Sequence, residues 1–201
     1  MKVLFATSNP AKVRKYADKL KENGIDLLTL KDFDIDLHPD EKGKNALENA
    51  FIKAKAYYDE LNIITIGMDN NLYIDGIPED RQPGVFVRRI NGKELNDDEM
   101  IEHYTSLVKE FGGKLKARWV YGMVVYNGKE KREYTWSKGE FYFVDEPCER
   151  RNPGYPLDSI SIMPECNKYF VDLTEEDRAL DQKNYNEDKV IEFIVKSAKE
   201  L

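Results

Sequence analysis

Several short polar motifs along this chain carry side chains that suit phosphate chemistry. The first, Thr7-Ser8-Asn9-Pro10, follows the apolar run Val3-Leu4-Phe5-Ala6 and brings Lys12 into the start of a helix. Asn9 is a good N-cap, and Pro10 suits the first helical position. A cation is unfavourable in a first turn, where free backbone N–H groups attract an anion. The spacing therefore predicts a phosphate site, and the alternative is an ordinary strand-to-helix turn with an exposed lysine.

Two carboxylates and a second lysine extend this set. Glu41 lies in a polar loop, and Asn49 and Lys53 follow it four residues apart on one helix face, where both can point at one ligand. Asp69 is predicted to end an apolar strand, where an oxygen-ligated Mg²⁺ is commonly held. The alternative is that Asp69 only begins a turn and Glu41 is solvated, since the chain has 38 acidic residues.

Hydrophobic periodicity predicts the strands and helices that must position these residues. A strand at residues 3–6, a helix from Pro10 to about Asn23 and a strand at 25–30 form a predicted β-α-β unit. A second helix covers residues 47–58, and an apolar strand at 63–69 ends at Asp69. The lysines and carboxylates are thereby placed near strand ends and helix starts.

From residue 100 onward, the sequence pattern predicts long antiparallel strands between helices. A third helix at 100–111 ends at Gly112-Gly113, and Asn127-Gly128 marks a hairpin whose second arm extends to Phe143 with a bend near Gly139. Thr174 and Asp177 resemble a capping box, and a last helix begins near Glu187. The fold class predicted is α/β, with a mixed β-sheet, long central antiparallel strands and flanking helices, in a single domain over residues 1–201.

Composition narrows the function classes. The net charge of −7, from 31 basic and 38 acidic residues, argues against nucleic acid as the main partner. Two cysteines without metal spacing and two isolated histidines argue against zinc and a disulfide framework. No apolar run approaches the ~18 residues of a membrane span. We expect a cytoplasmic protein without a membrane or nucleic-acid partner.

Taken together and in order, the motifs resemble the inosine/xanthosine triphosphate pyrophosphatase family, whose members act on nonstandard purine nucleotides. The resemblance runs from residue 3 to about 184. The motifs that carry it are Ser8-Asn9-x-x-Lys12, Glu41, Glu48-Asn49-Ala50-x-x-Lys53-Ala54, Asp69-x-x-Leu72-x-x-Asp75, Pro83-Gly84-x-x-x-x-Arg89, Gly154-Tyr155 and Lys168-x-Phe170-x-Asp172-Leu173.

The resemblance implies two lobes around a nucleotide cleft, a homodimer, and Mg²⁺-dependent hydrolysis of a nucleoside triphosphate between its α- and β-phosphates. It implies that Glu41 and Asp69 hold Mg²⁺, that Asp69 or an adjacent acid activates water, and that Lys12 and Lys53 neutralise developing charge. Arg89 clamps a phosphate oxygen or supports the site through an acidic neighbour. The implied substrate-binding residues are Thr7, Ser8, Asn9, Lys12, Asn49, Lys53, Asn70, Arg89, Gly154, Tyr155, Asp158, Lys168, Gln182 and Lys183.

The chain departs from the family pattern at the base end of the site. Pro153 replaces a phenylalanine, so stacking must come from Tyr155 or elsewhere. Asp177, Gln182 and Lys183 stand where the family has a lysine and a histidine-arginine pair. These changes predict an altered base preference; for Gln182 and Lys183 the alternative is drift at a helix start.

One departure concerns the catalytic end. Met68 replaces the first acid of an Asp-Asp-Ser-Gly motif, so that the role of that acid falls to Glu41, Asp75 or water, or is lost. The alternative function is therefore a catalytically impaired nucleotide-binding protein of the same fold.

Overall fold

The structure is a computed structural model that describes residues 1–137, 139–181 and 187–201. Its helices, in chain order, are α1 (Pro10–Glu22), α2 (Ala46–Leu61), α3 (Asp97–Glu110), α4 (Glu175–Asp181) and α5 (Glu187–Glu200). Its strands are β1 (Lys2–Phe5), β2 (Asp26–Thr29), β3 (Thr65–Ile74), β4 (Arg89–Ile90), β5 (Lys93–Glu94), β6 (Lys114–Tyr126), β7 (Lys131–Ser137), β8 (Phe141–Val144), β9 (Ser161–Met163) and β10 (Lys168–Tyr169).

The chain divides into two compact units. The first unit comprises Met1–Asn70, Tyr121–Trp136 and Asn186–Leu201, and the second comprises Asn71–Val120 and Ser137–Tyr185. Strands β3 and β6 are continuous through the division, so each contributes one half to either unit. The predicted mixed α/β fold is confirmed, with parallel and antiparallel strand pairs in one chain.

The first unit is built on the predicted β-α-β start. β1 pairs in parallel with β2 and with β3, and the strand order is β6–β3–β1–β2 with β7 on β6. Phe5, Tyr16 and Leu20 are fully buried and join β1 to α1, because every third or fourth residue of the helix faces the strand. Ile194 of α5 belongs to the same cluster, as the apolar spacing of the last helix predicts.

Helix α2 approaches the strands closely because two glycines face it. A Cβ added at Gly67 of β3 would lie 1.9 Å from the Ala50 carbonyl oxygen. One added at Gly122 of β6 would lie 2.6 Å from the backbone of Ala46 and Leu47. Asn45 caps the helix by accepting a hydrogen bond from Glu48 N (3.0 Å). The helix backbone is thus seated directly on these strands.

The second unit packs α3 against antiparallel strands. Its strand order is β10–β9–β8–β6–β3, and β6 pairs with β8 from Lys114↔Val144 to Ala117↔Phe141. Tyr104, Leu107 and Val108 of α3 are buried in its core. The predicted capping box is confirmed: Asp177 N donates to Thr174 Oγ1 at 3.2 Å, and Thr174 N donates to Asp177 Oδ2 at 2.9 Å.

Two predicted boundaries are wrong. Asp69 does not end its strand; β3 continues to Ile74, because Leu72 and Ile74 carry the buried alternation of Ile66 and Met68 past two asparagines. The second hairpin arm is not one bent strand, since β7 ends at Ser137 and β8 begins at Phe141. Both pieces still pair with β6.

Among the described residues, no helix is long and apolar enough to cross a membrane.

Candidate functional site

The turn from β1 to α1 takes the predicted form. β1 ends at Phe5, α1 begins at Pro10, and the amide of Val13 donates to Asn9 O at 3.4 Å. Thr7 shapes the turn, because its hydroxyl oxygen accepts a hydrogen bond from Asn9 N (3.2 Å). Ser8 is exposed, and the first turn of α1 has no acidic residue. The helix start therefore offers N–H groups and positive potential that no carboxylate of its own first turn offsets.

Lys53 of α2 is mostly buried and held by two oxygens. Its Nζ lies 3.1 Å from Glu41 Oε2 and donates to the Met68 carbonyl oxygen at 3.4 Å, while its side chain is 14% exposed. The Met68 side chain instead packs in the core cluster that contains Phe5 and Ile66. The main chain of residue 68, rather than its side chain, thus contributes a polar atom.

Asn49 is buried, and its side chain supports the loop that carries Glu41. Its Oδ1 accepts a hydrogen bond from Gly43 N at 2.7 Å. Gly43 is needed there, because an added Cβ would lie 2.6 Å from that oxygen. The side-chain oxygen of Asn49 is therefore used within the protein, and substrate binding by Asn49 stays a prediction.

Lys12 lies in an environment that disfavours its positive charge. Partial burial lowers its pKa to about 8, the positive charge of Lys53 acts in the same direction, and the negative charges of Asp69 and Glu41 offset part of the shift. The charges of Lys53, Asp69 and Glu41 therefore all act on Lys12 within the first unit. A polyanion placed among them would relieve the repulsion between the two lysines.

Glu41 and Asp69 are the two carboxylates that were predicted to bind a metal ion. Asp69 and Asn70 are partly buried in the middle of β3, and Glu41 is 27% exposed at its side chain. In the described part of the chain, no group of three or more histidine, cysteine, aspartate or glutamate residues is placed to hold a metal. Asp75, considered as a substitute acid, pairs instead with Arg118 at 2.7 Å in the second unit.

The second unit holds the predicted base-side residues. Tyr155 N donates to Asn152 O at 2.8 Å, which closes a turn with Gly154 at φ +81°. Asp158 Oδ2 accepts a hydrogen bond from Asn152 Nδ2 (2.9 Å), so that Asp158 also braces this turn. Tyr155 is left 43% exposed.

Arg89 and its neighbour differ in their contacts. The Arg89 guanidinium lies over the exposed Phe86 ring, 5.7 Å from its centroid. It is Arg88 that has an acidic partner, at 2.9 Å from Asp97 Oδ1. Support through an acid, which was one of two roles expected of Arg89, is provided by Arg88.

Lys168 is paired with the acid that replaces a family lysine. Its Nζ donates to both oxygens of Asp177 at 2.9 and 2.8 Å. The Lys168 ammonium and the Thr174 N–H and hydroxyl lower the pKa of Asp177 to about 2. The ammonium is thereby neutralised locally. Gln182 and Lys183, predicted to bind the base, lie outside the described residues.

Sequence reasoning did not single out Gly43, which contacts Asn49, or Arg88 and Asp97, of which Asp97 contacts Gly154. Each acts through a partner that lies elsewhere in the chain, and Asp97 and Gly154 are 57 residues apart. The one local signal was the glycine of the 38–45 loop, which suggested a turn without identifying its partner.

Comparisons with known proteins show which family this chain resembles. The model of the Ham1 family matches residues 3–183. A dITP/XTP pyrophosphatase of Leptospira interrogans is 29% identical over 86% of this chain and 85% of its own length. A dITP/XTP pyrophosphatase of Dictyoglomus thermophilum is 32% identical over 88% of this chain and 85% of its own length.

Solved structures show the same fold. A HAM1 protein from Coxiella burnetii superposes with a TM-score of 0.76 at 20% identity and covers 100% of both chains. The Ham1 protein of Staphylococcus aureus gives a TM-score of 0.74 at 19% identity, with 96% of this chain and 98% of the other covered.

Proposed function

Because the chain belongs to the Ham1 family, it is a nucleoside triphosphate pyrophosphatase, and we propose that it hydrolyses nonstandard purine nucleotides with Mg²⁺. The observation that carries the proposal is the group of Lys12, Lys53, Glu41 and Asp69 in the first unit, beside a helix start. The named relatives act on dITP and XTP. We propose the same class of substrate here.

The two lysines supply the main electrostatic stabilisation. When the bond between the α- and β-phosphates breaks, negative charge accumulates on the pyrophosphate that leaves. Lys12 and Lys53 are already positioned and partly desolvated, so they stabilise this charge without reorganisation. The turn at residues 7–9 and the start of α1 add backbone N–H groups for the phosphate oxygens.

Asp69 is proposed to accept the proton of the attacking water. The products are then the nucleoside monophosphate and pyrophosphate, and one water molecule is consumed. Asp69 suits this role because it lies on the same strand as the Met68 carbonyl that binds Lys53, and because its charge acts on Lys12.

The residues present fit Mg²⁺. Mg²⁺ prefers hard oxygen ligands and is commonly held by one or two carboxylates together with substrate phosphates and water. Glu41 and Asp69 would supply the carboxylates, and the ion would neutralise phosphate charge. Lys53 Nζ lies 3.1 Å from Glu41 Oε2, so this lysine would stand beside a ligand of the ion.

The base preference is proposed to differ from that of the named relatives. Lys168 is neutralised by Asp177, and Pro153 occupies a turn position where a stacking ring was expected. Tyr155 is the remaining exposed ring of that turn. A site whose hydrogen-bonding partners for the base edge are changed discriminates differently between bases.

The decisive experiment measures pyrophosphate and orthophosphate release from dITP, ITP, XTP and the standard nucleotides, with and without Mg²⁺. We expect pyrophosphate from nonstandard purine nucleotides only when Mg²⁺ is present. Asp69→Asn should reduce turnover at least 100-fold, in the range of general-base losses, with a modest effect on binding. Orthophosphate as the product would contradict the proposed cleavage position.

A second candidate is a nucleotide-binding protein that has lost catalysis. It is favoured by one observation, the burial of the Met68 side chain in the apolar core where an acid was expected. Nucleotide binding without release of any phosphate product would establish it. The active enzyme is favoured because the chain contains all four charged residues expected to act in catalysis, Lys12, Lys53, Glu41 and Asp69.

A homodimer and a cytoplasmic location complete the proposal. The dimer follows from the family resemblance, and the location from the composition. Sedimentation velocity at micromolar concentration would test the dimer, since a monomer of 23.4 kDa is well separated from a species of twice that mass.

A further inference from the structure

The turn that carries Tyr155 has the features of a type II β-turn. Pro153 occupies its second position and Gly154 its third, with φ +81°, which only glycine adopts readily. Tyr155 N closes the turn by donating to Asn152 O. Beyond it, Pro156 and Leu157 are buried in a short 3-10 helix. The turn is therefore anchored at its far end, and the Tyr155 ring projects from an ordered segment.

Asp97 holds this turn from a distant part of the chain. Its Oδ2 accepts a hydrogen bond from Gly154 N at 2.8 Å, and its Oδ1 accepts one from Arg88 Nη2 at 2.9 Å. Asp97 lies in the first turn of α3, but Asn96 and Glu99 already form the capping box of that helix. The carboxylate of Asp97 thus contacts two other segments of the second unit.

The Arg88 contact extends the arrangement to a second aromatic segment. Arg88 Nη1 donates to Leu95 O at 2.9 Å, and Tyr104 OH donates to the carbonyl of Val87 at 2.9 Å. These bonds fix the backbone next to Phe86, the other exposed aromatic ring among the large apolar side chains of the described residues. One carboxylate therefore ties together the segments that carry Phe86 and Tyr155.

We propose that Asp97 is a positioning residue for the nucleobase, and that it holds the 152–155 turn so that the Tyr155 ring is ready to stack on the base. The inference rests on the proposed function. A segment that is ordered before binding loses less conformational entropy when the ligand arrives, and a charge-assisted hydrogen bond is a strong means of ordering it. Aromatic rings of this kind are effective stacking partners for bases.

The ionisation of Asp97 agrees with this role. The Gly154 N–H and the Arg88 guanidinium hold the pKa of Asp97 below its usual range, so the carboxylate stays charged at neutral pH.

The test compares a nucleotide analogue with a polyphosphate that carries no nucleoside. Isothermal titration calorimetry is used to measure dissociation constants for α,β-methylene inosine triphosphate, which resists cleavage, and for inorganic tripolyphosphate. Asp97→Ala should raise the dissociation constant of the nucleotide analogue about tenfold, which corresponds to the loss of one hydrogen bond to a charged group. The dissociation constant of tripolyphosphate should change less than about twofold, since tripolyphosphate makes no base contact.

Asp98→Ala is the matched control. Asp98 is exposed in the same first turn of α3, so this variant loses the same charge near the same helix start while leaving the contacts of Asp97 in place. It should leave both dissociation constants unchanged. Equal weakening of the two ligands by Asp97→Ala would show a general disturbance and overturn the proposal, as would an unchanged affinity for the analogue.

Two further variants keep the test decisive. If Asp97→Ala does not fold by circular dichroism, Asp97→Asn replaces it; this variant keeps one oxygen acceptor but loses the charge, so it should weaken binding of the analogue in the same direction by a smaller factor. Tyr155→Leu should weaken the analogue on its own and add little when combined with Asp97→Ala, because Asp97 acts through the turn; full additivity would contradict the proposal. Binding constants do not require turnover, so an absence of pyrophosphate release would defeat the proposed reaction without affecting this result.

Discussion

Lys12 and Lys53 bring two cations close together in a partly buried place, an arrangement that disfavours the unliganded protein. Burial and the charge of Lys53 lower the pKa of Lys12 to about 8 from an ordinary 10.5. A residue whose charged form is penalised in the folded state weakens stability at every pH at which it is protonated. Such a cost in stability is expected of the polyanion site that we propose here.

Replacing Lys12 should therefore stabilise the unliganded protein while removing its activity. At pH 7 we expect Lys12→Met to raise the free energy of unfolding by about 1–2 kcal/mol, because it removes a desolvated charge. The folded protein releases the Lys12 proton near pH 8, and the unfolded chain does so near 10.5. The gain in unfolding free energy of Lys12→Met over the wild type should thus be complete below pH 8 and should shrink as the pH rises towards 10.5.

Urea unfolding at several pH values measures this difference. A variant that is less stable than the wild type at pH 7 would contradict the assigned environment of Lys12. Pyrophosphate release by the same variant should fall at least 100-fold, since a preorganised charge at the reacting phosphate is lost.

Helix α2 depends on close contact with the strands below it. Gly67 and Gly122 leave no space for a side chain beneath its backbone, and Ala50 and Ala54 complete a contact made of small residues. The helix carries Lys53 and Asn49, and through Asn49 it supports the loop of Glu41. A displacement of this helix would move the charged groups of the first unit together.

Gly67→Ala and Gly122→Ala should show how strongly the site depends on this contact. An added methyl group has to push the helix backbone away, which typically costs about 1–3 kcal/mol of unfolding free energy. Gly67→Ala should be the more damaging of the two, because the clash at 1.9 Å is closer than the one at 2.6 Å. Urea unfolding and pyrophosphate release are the measurements. Equal or reversed effects would mean that α2 is not seated as described.

Local signals in the sequence identified most of the elements. Pro10 marked the start of α1, Asn127-Gly128 marked the hairpin, and Thr174 with Asp177 marked a helix cap, because each of these is decided by neighbours within a few residues. The end of β3 was misplaced, since β1 pairs only with Thr65 and Ile66 and the rest of the strand depends on β6, which is distant in sequence. For the same reason, the contact of Asp97 with Gly154 could not be read from spacing.

The two compact units share continuous strands. β3 passes from the first unit to the second after Asn70, and β6 passes back after Val120. If one half of either strand melts, the backbone groups of that half and of the strands paired with it lose their hydrogen bonds, and the loss begins directly next to the half that belongs to the other unit. On this ground, the single domain predicted over residues 1–201 should unfold cooperatively.

The two tryptophans offer a direct measurement, because Trp119 lies in the second unit and Trp136 in the first. Trp119→Phe and Trp136→Phe each leave one reporter. Urea transitions followed by the fluorescence of each variant should each agree with the circular dichroism of that same variant. A separation between fluorescence and circular dichroism in either variant would show that the units unfold independently and would replace the one-domain prediction with two.

The oxygen that Lys53 reaches at position 68 belongs to the main chain, and every amino acid carries one. A change of side chain there alters the packing of the core but cannot delete this partner of the lysine. Over evolutionary time, such a position is free to exchange residues of suitable shape while the contact survives. A comparison of side chains alone would therefore count the loss of an acid at residue 68. The main-chain carbonyl of this residue nevertheless still accepts a hydrogen bond from Lys53.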